Sequence, residues 1–288
     1  RKPALTHTRR SSSPPLLSAP AARKPKMTTQ PSGPSPRKSQ DAEVASFANT
    51  MPREYRQRHH PNAIWHHSKI SSERTSAVNV GTFSPAGLTT GFPLCVVADD
   101  RPGLLARVCI GLEALNLDVR DAEAYLRRRL DGRVEAVDLV WVRAINARAN
   151  TAWNATESLA EIKSVLNVVV ERHLEAGALL ERVTRAPGNV GHTRISWVMA
   201  EGLLMGVDVE TQDRPGLLLA LAAALAHERL NIVRSVVKTM GKRAVDRFYF
   251  CELDGTAVGG ERQGQIRARL LEVLGRPNIE LGHEVRSA

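Results

Sequence analysis

The sequence predicts an α+β protein made of two βαββαβ units in tandem, preceded by a disordered basic N-terminal segment. Three observations carry this reading. The hexapeptide DRPGLL occurs twice, at Asp100–Leu105 and Asp213–Leu218, 113 positions apart. Around each copy the same order of apolar patterns recurs: strand, helix, two strands, helix, strand. The offset holds at 113 through Asp118 and Asn231, then becomes 108 at Val137-Asp138 and Val245-Asp246. The first copy therefore carries five extra residues (113 against 108) near its hairpin, where an insertion costs little.

The first unit is read over 92–200. "FPLCVVA" is a short apolar strand. A helix follows the DRPG turn, with Leu104, Val108 and Leu112 spaced by four and Leu105 and Leu115 flanking the same face. "LDVRDAEAYLRRR" and "VEAVDLVWVRA" are strands joined through Asp131-Gly132, a hairpin dipeptide. Ser158 to Glu161 forms a capping-box pattern. It opens a helix through Leu159, Ile162, Leu166, Val170 and Leu174. "RISWVM" at 194–199 is expected as this unit's fourth strand.

The second unit is read over 201–288. In "LMGVDVETQ", Val207 and Val209 alternate with Asp208 and Glu210, the mark of a strand with one buried face. Leu218, Leu221 and Leu225 define a helix. "NIVRSVVKTM" and "AVDRFYFCEL" pair around Gly241-Lys242. Ile266, Leu270, Leu271 and Leu274 mark a last helix, and "IELGHEV" a closing strand.

Upstream, residues 1–41 are rich in Ser, Pro, Arg and Lys and cannot bury enough apolar surface to offset ordering entropy. They read as a disordered tail. The tail also has the composition of a transit peptide, although the chain opens on Arg and Met27 is a second candidate start. Residues 42–91 read as a connector. Its four histidines, His59, His60, His66 and His67, suggest a metal site, but Pro61 breaks any helix between the pairs and no acid lies among them. The expectation is a connector anchored by Ile64 and Trp65, with no metal.

Charge and composition exclude other classes. Residues 1–80 hold 14 Lys/Arg against 4 Asp/Glu, and residues 81–288 hold 26 of each. The net +10 thus belongs to the N-terminal segment, and nucleic-acid binding by the body is not expected. Cys95, Cys109 and Cys251 are far apart in apolar stretches and form no CxxC, consistent with buried thiols in a reducing, cytoplasmic setting. No apolar run reaches the roughly 18–20 residues of a membrane span. Neither GxGxxG nor GxxxxGK[ST] is present at the turns.

The turn itself has a chemistry. Proline suits the first turn of a helix, and Gly103 and Gly216 let another group approach the backbone. The helix N-terminus then offers N–H groups to a carboxylate. Asp100 and Asp213 can cap that end or accept an ammonium, and Arg101 and Arg214 can pair with a ligand carboxylate. By itself the turn serves a scaffold as well as it serves a ligand site.

Duplicated βαββαβ units with DRPGLL after the first strand, and "LNI" at Leu230–Ile232, resemble tandem ACT domains, a ferredoxin-like fold. "VETQDRPGLL", "LNI", "AVDRFYF" and "ELDG" run in the order found in the C-terminal sensor region of the protein-PII uridylyltransferase/uridylyl-removing enzyme family. The connector "MPREYRQRHHPNAIWHH" resembles the segment that enters that sensor. The resemblance implies a non-catalytic regulator of nitrogen signalling that binds an amino acid, glutamine above all, without a cofactor. It also implies a homodimer through sheet edges. The implied ligand residues are Asp213, Arg214, Pro215, Gly216, Leu217, Leu218 and Asn231, with Asp100, Arg101, Gly103, Leu104 and Asp118 in the first copy. Of the two, Asp213–Leu218 with Asn231 is expected to be the working site. Asp118 stands where the second copy has Asn231, and its carboxylate would favour an ammonium over a carboxylate.

The family's catalytic motifs, a Gly-Ser motif with paired Asp and a His-Asp doublet, do not occur in this sequence. No enzymatic activity is therefore expected of the chain. One alternative is a fragment of such an enzyme whose catalytic domains lie upstream. A further alternative is an interaction protein that uses its basic tail.

Overall fold

A computed structural model describes residues 36–85, 91–145, 155–172, 178, 181, 192–200, 202–275, 278–279 and 286–287. Most of the expected N-terminal tail, Leu174 and most of the "IELGHEV" segment lie outside the described residues. Within the expected tail, helix α1 (Pro36–Thr50) already begins at Pro36.

The core repeat order is as the periodicity dictates. The first unit contains β2 (Phe92–Asp99), α4 (Leu104–Ala114), β3 (Leu117–Arg128), β4 (Val134–Ala144) and α5 (Ala155–Glu171). The second contains β6 (Met205–Gln212), α6 (Leu217–His227), β7 (Leu230–Met240), β8 (Arg243–Glu252) and α7 (Gly260–Leu274). Helix α5 starts at Ala155, so Ser158 lies inside the helix and not at its cap.

The fourth strands come from the opposite side of each unit. Strand β1 (Val78–Thr82) pairs antiparallel with β2, from Val78↔Ala98 to Thr82↔Leu94. Strand β5 (His192–Met199), which contains RISWVM, pairs antiparallel with β6 of the second unit. Among the described residues each unit is thus ββαββα, and RISWVM is corrected from the fourth strand of the first unit to the edge strand of the second. β5 follows the last helix of the first unit, but β1 already occupies the place beside β2. Two short strands, β9 (Asn278–Ile279) and β10 (Arg286–Ser287), lie parallel to β5.

The strands form one mixed sheet in the order β1-β2-β4-β3-β7-β8-β6-β5-β10. The units meet where β3 pairs antiparallel with β7, from Ala122↔Val237 to Tyr125↔Arg234. Glu123 pairs with Val236, its own counterpart 113 residues on. A pseudo-twofold axis therefore passes through that pair.

Helices α4 to α7 cover one sheet face. Their apolar stripes, with Leu94, Val96, Ala136, Val140, Val207, Val209, Phe248 and Phe250, form a single core that runs through both units. Helix α6 has ten successive buried residues, Leu217 to Ala226, because α4, α7 and the sheet surround it. Burying each large aliphatic side chain contributes about 1.5–3 kcal/mol. On the other face, α1, α2 (Arg53–Arg58) and α3 (Pro61–Ser72) close a second core over the first unit. It contains Phe47, Met51, Tyr55, Ile64, Val97, Tyr125, Leu139 and Trp141. The helix breaks between Arg58 and Pro61, as proline requires.

The two helices that follow the DRPG turns end alike. Asn116 (φ 56°) and Arg229 (φ 58°) sit just past α4 and α6 in the left-handed region. Asn tolerates that conformation and Arg does not. The Arg229 side chain is exposed. Arg229→Gly is expected to stabilise the fold by about 1 kcal/mol, read as a higher urea midpoint at unchanged slope.

Candidate functional site

DRPG is a type II turn. The Leu104 N–H bonds the Arg101 carbonyl at 3.1 Å, and the Leu217 N–H bonds the Arg214 carbonyl at 3.2 Å. Proline takes the second position and glycine the third. Gly103 has φ 73°, ψ 14°, and Gly216 has φ 74°, ψ 8°, values a side chain resists. The helices start one residue later, at Leu104 and Leu217, so Pro102 and Pro215 lie in the turn and not in the helix. The N-cap of each helix is the glycine itself, Gly103 or Gly216, which has no side chain to cap with.

The arginines of the turn are engaged elsewhere. Arg101 donates to the Val170 carbonyl at 2.8 Å, near the end of α5. Arg214 donates to the Val273 carbonyl at 3.0 Å, near the end of α7. Each ties a helix C-terminus, where cations are favoured. Leu104, Leu105, Leu217 and Leu218 are core residues.

The two halves of each expected site are not brought together within a unit. Helix α4 has eleven residues, about 16 Å of axis. It separates Asp100 at one end from Asp118 at the other. The same holds for Asp213 and Asn231 across α6. The pseudo-twofold axis supplies the missing half from the other unit. The first turn (Asp100, Arg101, Gly103) faces Ala226, Leu230, Asn231, Ile232 and Val233. The second turn faces Glu113 and Asp118. The expected grouping of Asp213–Leu218 with Asn231 is therefore corrected: Asn231 serves Asp100, and Asp118 serves the Asp213 turn.

At the first junction the Asp100 carboxylate is held by the Asn231 side chain and the Arg101 N–H. Burial raises its pKa, and these bonds oppose the rise. Asp138, on the helix face of β4, lines the same cavity. Burial, with the Asp100 charge second, pushes its carboxyl up to about 7. The cavity holds about 30 Å³, room for one water. Its other walls are Leu104, Leu105, Ala136, Ala226 and Val233.

At the second junction Asp118 accepts the Gly216 N–H, and burial, then the Asp213 charge, raises its pKa. Glu113 lies 3.5 Å from where a Gly216 Cβ would stand. Arg120 bonds Asp213, and it lies 3.8 Å from Asp118. Arg143 lies 3.5 Å from Asp118. Asp246, the counterpart of Asp138, accepts the Lys238 N–H. Its Oδ1 is buried without a hydrogen-bond partner. Burial, then the Asp213 charge, raises its carboxyl to about 8.

Sequence reasoning missed Asp138 and Asp246. The signal was present: each is an acid in an apolar strand at equivalent places in the two copies. The connector histidines take structural places. Tyr55 Oη lies 2.6 Å from His67 Nδ1, and burial pushes the His67 pKa down to about 3, so its ring stays neutral. His59 Nε2 lies 3.1 Å from Glu123. His60 caps α3. The buried anchors are Ile64 and His67, whereas Trp65 is only partly covered. Among the described residues, no group of three His, Cys, Asp or Glu is placed to hold a metal. Nor is any described helix long and apolar enough to cross a membrane.

Over about 70% of its length the chain is similar to bifunctional uridylyltransferase/uridylyl-removing enzymes. The Azospirillum brasilense protein is 27% identical over 219 residues, 73% of this chain and 22% of that protein. The Bradyrhizobium sp. (strain ORS 278) protein is 31% identical over 205 residues, 69% and 21%. The Vibrio cholerae protein is 25% identical over 219 residues, 74% and 24%. The chain thus spans about a fifth of the length of the curated relatives it matches. No family model matches it. A solved structure, of an unknown protein from Galdieria sulphuraria, aligns over 62% of this chain and 88% of that one at 18% identity. Its TM-score is 0.20, too low to carry an argument.

Proposed function

We propose that the chain is a non-catalytic sensing module of two ACT-type units that binds an amino acid, glutamine foremost, at the junction between them. The observation that carries this reading is the first junction. One glycine turn, two carboxylates and one amide converge there on a small cavity whose remaining walls are apolar apart from Tyr125. Asp100 and Asp138 suit the ammonium of an amino acid. The Asn231 amide offers both a donor and an acceptor to a ligand amide. The first turn of α4 leaves backbone N–H groups for a carboxylate.

The size of the cavity adds a consequence. An amino acid exceeds one water, so binding must part the α4 turn from the start of β7. These belong to different units, and the seam between the units is the short β3–β7 pairing. Ligand binding would therefore be felt as a change in how the two halves are held, which is what a sensor needs.

A second reading follows from coverage: the chain is the sensing part of a longer bifunctional enzyme, since it spans about a fifth of such relatives. Catalytic motifs in the reading frame upstream would establish it. Both readings place the same ligand at the same junction in a cytoplasmic protein.

Calorimetry of the full chain against each of the twenty amino acids tests the site. One saturable ligand is expected. Asn231→Ala should weaken it at least tenfold while the melting temperature changes by only a few degrees. No heat with any amino acid, in wild type, would end the proposal.

A further inference from the structure

The two junctions are related by the pseudo-twofold axis, yet they are filled differently. Strands β3 and β7 each carry a bulge at the same place, between Val119 and Asp121 and between Ile232 and Arg234. The bulged residues are Arg120 and Val233, counterparts 113 positions apart. A bulge re-aims the side chain it carries. Val233 lines the first cavity as an apolar wall. Arg120 reaches the second turn and bonds Asp213.

The surroundings match the occupant. Where the first junction has Ala226, Asn231 and Val233, the second has Glu113, Asp118 and Arg120. Arg120 lies against two carboxylates, Asp213 and Asp118, and the Asp213 and Asp118 charges act in turn on Asp246 and Glu113. Arg120 is 9% exposed and Asp118 5% exposed. Asp246 is 1% exposed, with Oδ1 unpartnered. Backbone contacts fix the bulge: Thr239 Oγ1 donates to the Arg120 carbonyl at 2.6 Å, and the Thr239 N–H bonds Asp121 at 3.3 Å.

We infer that Arg120 is a built-in occupant of the second junction: it closes an anionic site of guanidinium and ammonium specificity and leaves, of the two junctions, the first open to a ligand. The count of one ligand rests on the reading of the first junction given above. The occupation of the second junction by Arg120 does not.

The test therefore uses a probe unrelated to any amino-acid ligand. In the full chain, Arg120→Ala leaves the carboxylates facing one another, and the melting temperature should fall by about 10 °C. Millimolar methylguanidinium chloride should restore about half of that loss, whereas matched sodium chloride should not, and wild type should not respond. Equal effects of methylguanidinium and sodium chloride on the variant would overturn the inference.

Should Arg120→Ala not fold, the wild-type chain decides through NMR. The Arg120 guanidinium N–H groups, one of which bonds Asp213, should be protected from solvent exchange by at least tenfold relative to those of Arg229, an exposed arginine. Asp213→Asn should remove most of that protection. An unprotected Arg120 would overturn the inference. If calorimetry finds an amino-acid ligand, wild type should take one equivalent per chain, and two would overturn it. If calorimetry finds none, the proposed function fails, and the methylguanidinium result still decides the role of Arg120.

Discussion

Glu135→Ala should destabilise the protein by about 3–5 kcal/mol. Glu135 lies on β4 with no solvent exposure. One oxygen accepts from Ser71 Oγ at 2.7 Å and from Arg127 Nε at 2.8 Å. The other accepts from Arg129 at 3.1 Å and lies 3.3 Å from Arg74. Arg127 continues to Thr50 Oγ1 at 2.9 Å, and its guanidinium lies 4.3 Å from the Phe47 ring centroid. One carboxylate thus ties α1, α3 and the β3–β4 hairpin. Removing it leaves the Arg127 guanidinium without its anion and strips Arg74 and Arg129 of one of their two, Asp99 and Asp131 remaining, which costs far more than the pair itself contributes. Glu135→Gln keeps the acceptor oxygen and should lose about half as much. Urea unfolding at unchanged slope measures both. A loss below about 1 kcal/mol for the alanine variant would show that the helices are held by apolar packing alone.

Stability should fall as pH rises from about 5 to about 8, and Asp246→Asn should remove much of that fall. Asp138 and Asp246 have native carboxyls raised to about 7 and about 8, while unfolded aspartate titrates near 3.9. Between those values the native chain keeps protons that the unfolded chain has released. A group of this kind supports the fold below its unfolded pKa and loses that support as pH climbs through its native pKa. Asp100, Asp118 and Glu113 are raised too and act in the same direction. The lowered carboxyls Glu54, Glu123 and Glu228 act in the opposite direction in the acid range below it, and His67, lowered to about 3, opposes the two aspartates only up to about pH 6.5. Asp246→Asn should therefore stabilise by about 2 kcal/mol near pH 8.5 and by almost nothing near pH 5. A flat wild-type profile over that window, from melting curves, would show that water or relaxation solvates these carboxyls.

Asp138 and Asp246 also show what a sequence reading passes over. An acid inside an apolar strand reads as the exposed face of an alternating pattern. Here both sit on the helix face, two positions from Ala136 and Phe248; the period of two assigns them that face, and only packing shows that it is buried. Glu135 was hidden for the same reason: its three arginines come from segments 6, 8 and 61 positions away.

By itself the sequence determined the duplication, the strand and helix order of each core unit, and the turn that DRPG must make. These depend on stretches of about fifteen residues or fewer: apolar periods, a proline that presets φ, and a glycine that accepts φ near 74°. Only the tertiary structure decided which strand completes each unit, that each glycine turn is served by the opposite unit, and that Arg120 fills one junction while Val233 leaves the other open. An eleven-residue helix keeps the two halves of a site apart in every unit, so proximity had to come from the β3–β7 pairing. That pairing joins edges 113 residues apart, a distance over which local pattern carries no information.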